Sequence, residues 1–451
     1  AKKILSMANL LIIRLKGDGD EGGRKIIYSC ALKFMEPLLD ETHGRETIYY
    51  LRPVFSLKAF RMGLKKSASR LLHVLPEYFL SFREILSLRS KVNPKKISAE
   101  VDNYFKKTGG LNYNGFDLWR ICGPDVSAFL KKELRDFAKM VSGLNKMIES
   151  VNPGLLINDE DTTPFNKALV ECAKKKGIPS IQMNHGILGH HLLKVPINSD
   201  VIAVFGESSL KRLVGWGVEK GKIALTGAPC YSKISARTGK HDIKNKLCSE
   251  FGLGQDTKLV MLASSPFRTE ERSDFIDTFL IPDNIKKVIL IAARALHYVK
   301  NAKLIIKLHP REQNEWFTHN LLRKHDLDKD VIILKNHNIF DLLHASDLIL
   351  SYGTTVFLEA LLVKKPVLIF DDRNKKFLNF LSDDYLDLLD DKGSIRRIRK
   401  LLQDSREREN RLRRQEKELL WHFINKNEDS VERFHKLCDG MLAGAAERKA
   451  E

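Results

Sequence analysis

The chain has 451 residues, of which 43% are hydrophobic and 29% are charged, and its formal net charge is +19 at pH 7. This length suits two or three domains that each bury a core, and no apolar run approaches the roughly 20 residues that cross a bilayer. Six scattered cysteines without a CxxC pair argue against a metal cluster and a disulfide scaffold, so we expect a soluble protein of a reducing cytosol.

The first 150 residues combine short β-prone runs with a long helical stretch. Residues 4–13 and 47–50 have the composition of strands, whereas 25–39 predicts a helix after a glycine-rich loop. Residues 56–150 predict helix over most of their length, since apolar side chains recur at about 3.6-residue spacing towards the end of this stretch.

A basic segment lies within the helical stretch. Between residues 58 and 96, ten Lys and Arg side chains stand against two acids, Glu77 and Glu84, with leucine and phenylalanine between them. Such a segment suits an anionic membrane surface and predicts a peripheral protein on the inner face of the cytoplasmic membrane. A solvated helix packed by its leucine face is an equal alternative. Nucleic acid is not expected as a partner, because no RNP, KH, zinc-finger or clear helix-turn-helix signature accompanies the charge.

Residues 154–230 repeat a strand–helix rhythm. The runs at 155–158, 178–183, 201–205 and 222–225 predict strands, and each ends in polar residues or glycine. Parallel strands joined by helices present their carboxyl ends as a ligand crevice, so this segment predicts a Rossmann-like domain. The notable residues at these strand ends are Asp159, Glu160, Asp161, His185, Gly186 and Glu207.

A second series of apolar runs predicts strands at 258–263, 303–308, 331–334, 348–351 and 366–370, with helices between most of them. Polar residues again follow three of these strands. They are Ser264, Ser265 and Arg268, then His309 and Pro310, then Ser351, Gly353, Thr354 and Thr355. The last group opens a helix, whose amide groups and dipole favour a phosphate. The pattern predicts a pocket for a phosphorylated ligand, in particular a nucleotide.

These two series define the predicted organisation. An N-terminal Rossmann-like domain is expected at 1–235 with a helical insertion at about 56–150, and a linker is expected near 233–242. A C-terminal Rossmann-like domain is expected at 240–395. Residues 396–451 predict charged C-terminal helices, whose dense charge pairing indicates a solvated face. The predicted fold class is α/β with two parallel sheets.

Several motifs resemble those of known transferases. Lys307-Leu308-His309-Pro310 resembles the HP motif of bacterial sialyltransferases and of the Kdo transferases that build capsules. Residues 351–360 with Lys365-Pro366-Val367 resemble their second motif, a Ser/Thr pair followed by EAL and GKPV. Teichoic-acid glycerophosphotransferases share a similar pair of motifs, and residues 178–229 are similar to bacterial surface-polysaccharide transferases. The resemblance covers roughly residues 150–435 and implies the GT-B architecture, with a deep interdomain cleft closed by C-terminal helices.

Two positions depart from that family pattern. Thr354-Thr355 stand where a Ser-Ser pair is usual, and this change keeps the hydroxyl donors. Lys364 or Lys365 stands where glycine is usual, and this change is expected to disturb the tight turn before the next strand.

The resemblance implies roles in a donor pocket. His309, Thr354 and Thr355 are expected to bind the leaving phosphate, with Lys307 adding charge, and Glu359 is expected to bind ribose hydroxyls. Each role has a competing structural interpretation. These are a His-Pro turn for His309, a plain N-cap for the Thr pair, a solvated edge for Lys307 and a surface carboxylate for Glu359. The complete predicted donor set is Ser264, Ser265, Arg268, Lys307, His309, Pro310, Ser351, Gly353, Thr354, Thr355 and Glu359.

The catalytic base is expected among the strand ends of the first series. Asp159 and Asp161 are the leading candidates, because adjacent carboxylates raise one another's pKa, and an acidic loop that caps the next helix is an equal alternative. His185 and Glu207 are the rival candidates for the base. His185 is otherwise expected to contact the donor sugar or the acceptor, and Glu160, Gly186 and Glu207 to line the acceptor side. No metal site and no cofactor beyond the nucleotide-sugar co-substrate are expected, since the histidines lack a credible ligand spacing.

The resemblance predicts an inverting, metal-independent glycosyltransferase that moves a sugar to a hydroxyl of a surface glycan or lipid-linked acceptor. A CMP-linked acid sugar is the favoured donor, with CDP- and UDP-linked donors next. Two other classes stay open. A sugar-nucleotide 2-epimerase shares the double Rossmann fold, although its usual Asp-Ser-Gly-Gly loop is missing here. A basic protein without catalysis would bind a membrane or nucleic acid through residues 58–96.

Overall fold

The computed structural model describes residues 24–30, 35–38, 46–51, 70–109, 111–184, 186, 188, 196–232, 234, 240–264, 282–297, 299–309, 312, 315–352, 354–371, 386–388, 390–423 and 429–450. The strand predicted at 4–13, the loop after it and the basic residues at 58–69 lie outside these residues.

The chain divides into two compact units. Unit 1 comprises Ala1–His185, Ile197–Ile202 and His435–Glu451, and unit 2 comprises Gly186–Pro196 and Ala203–Phe434. Two parallel α/β arrangements confirm the predicted fold class. The domain boundaries expected from the sequence stay a prediction.

The first sheet begins with three parallel strands from the start of the chain. They are β1 (Arg24–Ser29), β2 (Glu46–Leu51) and β3 (Arg70–Val74). β1 pairs with β2 through Ile26 and Ile48, and with β6 (Leu155–Asn158) through Ile26 and Leu155. The strand predicted at 47–50 is therefore confirmed as β2.

The predicted helix at 25–39 is wrong at its start, because Arg24–Ser29 is a strand. Ile26, Ile27 and Tyr28 are buried in the middle of the sheet, where β-branched and aromatic side chains pack on both faces. A short apolar run that is buried on both faces carries no alternation, so its periodicity resembles that of a buried helix.

Helices dominate residues 82–151, as predicted, whereas β3 interrupts the stretch that was expected to be helical. The elements are α1 (Phe82–Lys91), α2 (Pro94–Lys107), the antiparallel pair β4 (Asn112–Tyr113) and β5 (Phe116–Asp117), and α3 (Leu118–Val151). Ser81 and Glu84 form a capping box at the start of α1, and the side chain of Asp117 caps α3. The end of α3 packs on the first sheet through Leu144, Met147 and Ile148.

The predicted second strand series is present. It comprises β6, α4 (Pro164–Lys174), β7 (Ser180–Met183), β8 (Val201–Val204), α5 (Glu207–Gly215) and β9 (Ile223–Leu225). The strand order of the sheet is β3-β2-β1-β6-β7-β8-β9. The pairs β1–β2, β2–β3, β1–β6 and β6–β7 are parallel.

Unit 2 contains the second sheet. Its strands are β10 (Lys258–Ala263), β11 (Ala302–Lys307), β12 (Val331–Leu334), β13 (Leu348–Tyr352), β14 (Val367–Asp371) and β15 (Leu386–Leu388). The order is β12-β11-β10-β13-β14-β15, and all five pairings are parallel. Apolar clusters cover both faces, as a parallel sheet requires.

Helices complete the described fold. Those within and beside the second sheet are α6 (Lys240–Glu250), α7 (Pro282–His297), α8 (Glu315–Arg323), α9 (Ile339–Ala345) and α10 (Val356–Leu362). The C-terminal helices are α11 (Asp391–Gln403), α12 (Ser405–His422) and α13 (Ser430–Ala450). Within the described parts of the chain, every helix is too short or too polar to span a bilayer.

Candidate functional site

The second sheet has a topological switch point between β10 and β13. From β10 the chain proceeds to β11 and β12 on one side, and β13, β14 and β15 continue on the other. The register places Lys307, Ala263 and Ser351 in one row across β11, β10 and β13. Ligands of open parallel sheets bind beyond the carboxyl ends of strands at such a point. The predicted donor residues therefore follow the strands that meet at the switch point.

A hydroxyl cluster follows β13. The Ser351 side chain is buried, and its Oγ lies 3.0 Å from Oγ1 of Thr354. Thr355 occupies the N-cap position of α10, but its side chain makes no capping hydrogen bond. The interpretation of Thr355 as a plain N-cap therefore lacks the hydrogen bond that defines one.

The polar residues after β10 and β11 differ in what they contact. The Lys307 ammonium donates to the carbonyls of Leu308 and Lys335, at 3.0 and 2.7 Å, and burial lowers the pKa of Lys307. This side chain therefore links the ends of β11 and β12. His309 follows two residues later with a half-buried side chain. The Ser264 side chain is buried beside them, and its backbone amide donates to Lys307.

Glu359 lies on α10 with its side chain buried, which excludes a surface carboxylate. Its Oε1 accepts a hydrogen bond of 2.9 Å from the hydroxyl of Tyr231. Complete burial, followed by the charge of Glu359, holds the pKa of Tyr231 well above its usual range, so this phenol stays a donor. No motif or spacing in the sequence selects Tyr231, which lies in a short turn 128 residues before its partner.

A small pocket lies within unit 2, next to the Thr pair. A Cβ atom placed on Gly186 would come within 2.9 Å of Cγ2 of Thr355, so the two residues are in close contact. The pocket is shallow and open to solvent. Its walls are Gly186, Leu188, Phe205, Ser208, Ser209, Arg212, Leu358 and His422. The structure thus brings Gly186, predicted for the acceptor side, to the predicted donor residues.

Ser208 and His422 line this pocket and contact each other, and Glu418 lies next to His422. The Oγ of Ser208 lies 2.9 Å from Nδ1 of His422, and Nε2 of His422 lies 3.4 Å from Oε2 of Glu418. His422 and Glu418 belong to α12, for which the sequence predicted a solvated face. The opposite face, formed by Arg411, Gln415, Glu418 and His422, is buried. Charge composition alone does not indicate which face of such a helix packs.

The candidate base residues lie in unit 1. The carboxylate of Asp161 is buried, and its Oδ2 accepts from the backbone amides of Asn198 and Ser199 at 2.7 and 2.6 Å. Desolvation raises the pKa of Asp161, while these donors oppose the rise. The side-chain amide nitrogen of Gln182 also donates to this carboxylate, at 3.1 Å from Oδ1 and 3.2 Å from Oδ2. Asp161 therefore holds a loop in place, whatever further role it has.

Its neighbours are more accessible. Asp159 and Glu160 are half-buried, and Glu160 accepts from Thr162 at 3.0 Å. Glu207 begins α5 within 3.9 Å of Lys211. His185, Ser265, Arg268, Pro310 and Gly353 lie outside the described residues. The roles predicted for all these residues stay predictions.

Residues 212–400 match the model of a family described as CDP-glycerol:poly(glycerophosphate) glycerophosphotransferase. The matched segment contains Glu359, Tyr231, His309 and the Thr pair. The chain is a transferase that uses a nucleotide-activated donor. A search of curated proteins finds no match.

The transferase also has the fold of several solved structures. A UDP-GlcNAc 2-epimerase from Neisseria meningitidis is similar at 14% identity and a TM-score of 0.55, over 92% of this chain and 99% of the other. A glycosyltransferase from Rickettsia africae ESF-5 is similar at 10% identity and a TM-score of 0.56, over 94% and 99%. The wall teichoic acid polymerase TagF is similar at 11% identity and a TM-score of 0.52, over 100% and 99%. At such identities the likeness establishes the fold, which is the predicted GT-B class.

Proposed function

We propose that this transferase moves a group from a cytidine-nucleotide donor to a hydroxyl of a cell-surface polymer or lipid-linked acceptor. The supporting observation is that one matched segment, 212–400, contains both the switch-point hydroxyl cluster and the buried Tyr231–Glu359 pair. A cytidine donor also agrees with the CMP-linked acid sugar favoured by the HP motif at His309. Metal independence and a location at the inner face of the cytoplasmic membrane are parts of this proposal.

Two transfers are compatible with the same residues. In glycerophosphoryl transfer, the acceptor oxygen attacks the β-phosphorus of a CDP-linked donor, and its proton passes to a base. The bond from that phosphorus to the bridging oxygen breaks, and CMP leaves with the electron pair. In glycosyl transfer, the acceptor oxygen attacks the anomeric carbon on the side opposite the nucleotide, and its proton passes to a base. The bond from that carbon to the phosphate oxygen breaks, the nucleotide leaves with the electron pair, and the configuration of the carbon is inverted. Both transfers need hydrogen-bond donors at a departing phosphate, the role we assign to His309, Thr354 and Thr355.

The family match favours glycerophosphoryl transfer, because its description names CDP-glycerol. The second candidate is transfer of an acid sugar from a CMP-linked donor. The phosphorus content of the modified acceptor distinguishes them, because both transfers release CMP. Glycerophosphoryl transfer from CDP-glycerol releases CMP and adds one phosphodiester to the acceptor, whereas acid-sugar transfer releases CMP and adds no phosphorus.

Nucleotide binding is the first test. We expect CMP or CDP to raise the thermal midpoint of the full chain more than UDP, GDP, ADP or TDP, with no change on adding EDTA. A shift with UDP alone would contradict the cytidine donor. Loss of the shift in EDTA would contradict metal independence. No shift with any nucleotide would argue for a protein without catalysis.

The role of His309 is tested by turnover. We expect His309→Ala to lower turnover about 100-fold or more, as loss of a donor to a developing charge does. His319 lies exposed on α8, so His319→Ala is the matched control and keeps normal turnover. Equal rates in the two variants would contradict the assigned role.

The base is tested in the same assay. Asp159→Asn is expected to lower kcat while leaving the thermal midpoint unchanged, because Asp159 is half-buried. Asp161→Asn is expected to lower the midpoint, because Asp161 binds two backbone amides. Full activity of Asp159→Asn would leave Asp161, His185 and Glu207 as the candidate bases.

A sugar-nucleotide 2-epimerase is the alternative enzyme, since solved epimerases have this fold. Incubating UDP-GlcNAc with the protein without an acceptor and recording NMR spectra would detect the epimer. We expect none.

A further inference from the structure

Large apolar side chains are exposed in one part of unit 1. Among the described residues thirteen such side chains are exposed, and nine of them fall within residues 82–137, which we call the helical arm. They are Phe82, Leu86, Tyr104, Leu111, Phe116, Leu118, Ile121, Phe129 and Phe137. Phe82, Phe116 and Ile121 are 73%, 67% and 69% exposed, so they contribute little to the core of the unit.

The helical arm is held together by other contacts. The rings of Phe105 and Trp119 stack at 4.2 Å between α2 and α3, and the indole of Trp119 donates to Asp102 at 3.0 Å. Arg135 donates to the carbonyl of Val92 at 3.3 Å. The exposed apolar side chains are therefore not needed to fold the arm, and their exposure is a property of its surface.

The apolar stripe of α3 is buried near the end of the helix and exposed near its start. At 34 residues, α3 extends roughly 50 Å. Near its end, Leu144 and Met147 pack on the first sheet, whereas near its start Leu118, Ile121 and Phe129 are exposed. A helix in water gains nothing from continuing an apolar stripe beyond its core, so this continuation indicates a second surface that receives it.

The turn between α2 and α3 forms the tip of the arm. Asn114 and Gly115 have positive φ values of 49° and 83°, which reverse the chain between β4 and β5. The amide of Leu118 donates to the carbonyl of Leu111 at 2.8 Å, so these two residues lie side by side. Phe116 lies between them in sequence, and Ile121 follows one turn into α3. The tip therefore carries four exposed apolar side chains.

Cations surround these apolar side chains. The helical arm contains eleven Lys and Arg against seven Asp and Glu, a net charge of +4. Lys107 and Arg120 are exposed next to the tip. Four of the acids form ion pairs, since Glu84 pairs with Lys146, Asp102 with Lys106, Glu100 with Lys96 and Glu133 with Lys132. The hydrogen bonds of Glu84 lower its pKa to about 2, so it stays ionised and paired.

We propose that the helical arm docks on an anionic lipid bilayer, with Phe116 and Ile121 entering the interface and the cations binding lipid phosphates. Lysines interleaved with exposed aromatic side chains suit lipid head groups, whereas the cores of protein interfaces are depleted of lysine. The surface differs from the basic segment predicted at 58–96, since it shares only 82–96 with it. It does not depend on the nucleotide site.

Vesicle sedimentation with the full chain tests the proposal. We expect binding to vesicles of 70% phosphatidylcholine and 30% phosphatidylglycerol, weaker binding at high salt, and little binding to pure phosphatidylcholine. The double variant Phe116→Ser/Ile121→Ser is expected to bind about tenfold more weakly or worse, because it removes two large apolar anchors. Trp316→Ser/Leu420→Ser is the matched control, since both side chains are more than 60% exposed outside the arm, and it is expected to bind normally.

Two double charge-reversal variants measure the electrostatic contribution to vesicle binding. Lys107→Glu/Arg120→Glu is expected to weaken binding to the anionic vesicles at least about tenfold. Lys222→Glu/Lys324→Glu, exposed positions elsewhere, are expected to weaken it much less. Circular dichroism and the nucleotide-induced thermal shift report whether each variant is folded, because neither depends on the vesicles.

Three results would overturn the proposal. They are no binding of the unaltered protein to anionic vesicles, equal binding of the Phe116/Ile121 and Trp316/Leu420 variants, or binding that ignores lipid charge. Light scattering gives a further outcome. A dimer that the Phe116/Ile121 variant abolishes, without vesicle binding, would assign the surface to a second copy of this chain.

Discussion

At the scale of single residues, Lys364 shows how the chain tolerates a departure from the family pattern. Of the two lysines at the position where glycine is usual, Lys364 has the left-handed backbone, with φ of 54°. Its amide donates to Leu361 and that of Lys365 to Ala360, so the turn at the end of α10 closes normally. The expected disturbance of this turn is absent, and its cost is confined to the backbone of one exposed residue.

Lys364→Gly should therefore stabilise the protein. We expect the free energy of unfolding to rise by about 1 kcal/mol, because glycine adopts this backbone without the Cβ clash. Urea denaturation measures the change. Lys364→Ala keeps a Cβ atom and should give no such gain, so an equal gain in both variants would contradict the backbone explanation.

The hydroxyl of Tyr231 holds the carboxylate of Glu359 in place through a hydrogen bond. We expect Tyr231→Phe to lower stability by about 1–3 kcal/mol, since it removes a donor to a buried carboxylate while keeping the ring. If Glu359 binds ribose, the dissociation constant of the nucleotide should also rise about tenfold, because the carboxylate loses the bond that orients it.

Isothermal titration and urea denaturation measure the two effects. Tyr104→Phe is the control, since Tyr104 is exposed in the helical arm. An unchanged nucleotide affinity in Tyr231→Phe would remove the support for Glu359 as a ribose ligand.

At the scale of elements, side chains of α12 form hydrogen bonds with the backbone at the start of β14. Val367 begins β14, and β15 pairs with β14 only from Ile369 onwards. The amide of Val367 donates to Oε1 of Gln415 at 2.9 Å, and its carbonyl accepts from Nε of Arg411 at 2.9 Å. Gln415 also donates to the carbonyl of Lys365 at 2.7 Å. The buried polar side chains of α12 thus complete the hydrogen bonding of the strand end.

Gln415→Ala should leave two buried backbone groups without these partners. We expect a loss of about 2–4 kcal/mol in stability, because each such group costs about 1–3 kcal/mol. Lys417→Ala, an exposed change on the same helix, should cost less than about 0.5 kcal/mol. Thermal denaturation of both variants compares them, and similar midpoints would contradict the proposed role of Gln415.

A close approach of backbones fixes the end of α12 against the start of α5. A Cβ atom on Gly206 would lie 2.4 Å from the carbonyl oxygen of His422 and 2.8 Å from the amide nitrogen of Phe423. Since both atoms belong to the backbone, neither can move aside cheaply. Gly206 is therefore required for the contact between Ser208 and His422.

Gly206→Ala should destabilise the protein by about 1–3 kcal/mol, because the added Cβ atom forces the start of α5 away from the end of α12. Gly215→Ala in the same helix is the matched control. No atom lies within 4 Å of the Cβ position at Gly215, so we expect it to be neutral or to stabilise by up to about 1 kcal/mol. Differential scanning fluorimetry distinguishes them, and equal shifts would contradict the contact argument.

At the scale of the whole molecule, the last helix returns to the first unit. Residues His435–Glu451 belong to unit 1, where Cys438 and Ala445 are buried. Asp439 pairs with Arg24 at the start of β1, and the side chain of Leu442 contacts Gly154 before β6. The end of the chain therefore covers strands formed by its beginning.

Removing residues 435–451 should destabilise unit 1. We expect a loss of about 2–4 kcal/mol from the apolar surface uncovered, and faster hydrogen exchange in β1 and β6 than in β10 and β11. Removing only residues 448–451 is the control. Equal protection of β1 and β6 in the two truncated chains would show that the helix does not support unit 1.

The sequence was most informative where structure is local. The strands β10 to β14 were predicted within one or two residues, because parallel strands buried on both faces are continuous apolar runs. The same property misled the prediction at β1, where an apolar run was taken for a helix. β3 was not predicted, because it lies in a basic stretch that looks helical. β15 was not predicted either, because a strand of three residues gives too short a pattern.

By itself, the sequence determined the α/β class, the two strand series and the polar strand ends at Ser264, His309 and the Thr pair. Only the tertiary structure decided which buried polar groups meet. Tyr231 and Glu359 are 128 residues apart, and Ser208 and His422 are 214 residues apart. Secondary structure follows from periodicity between neighbours in the chain, whereas a buried polar side chain is determined by whichever distant segment satisfies its hydrogen bonds.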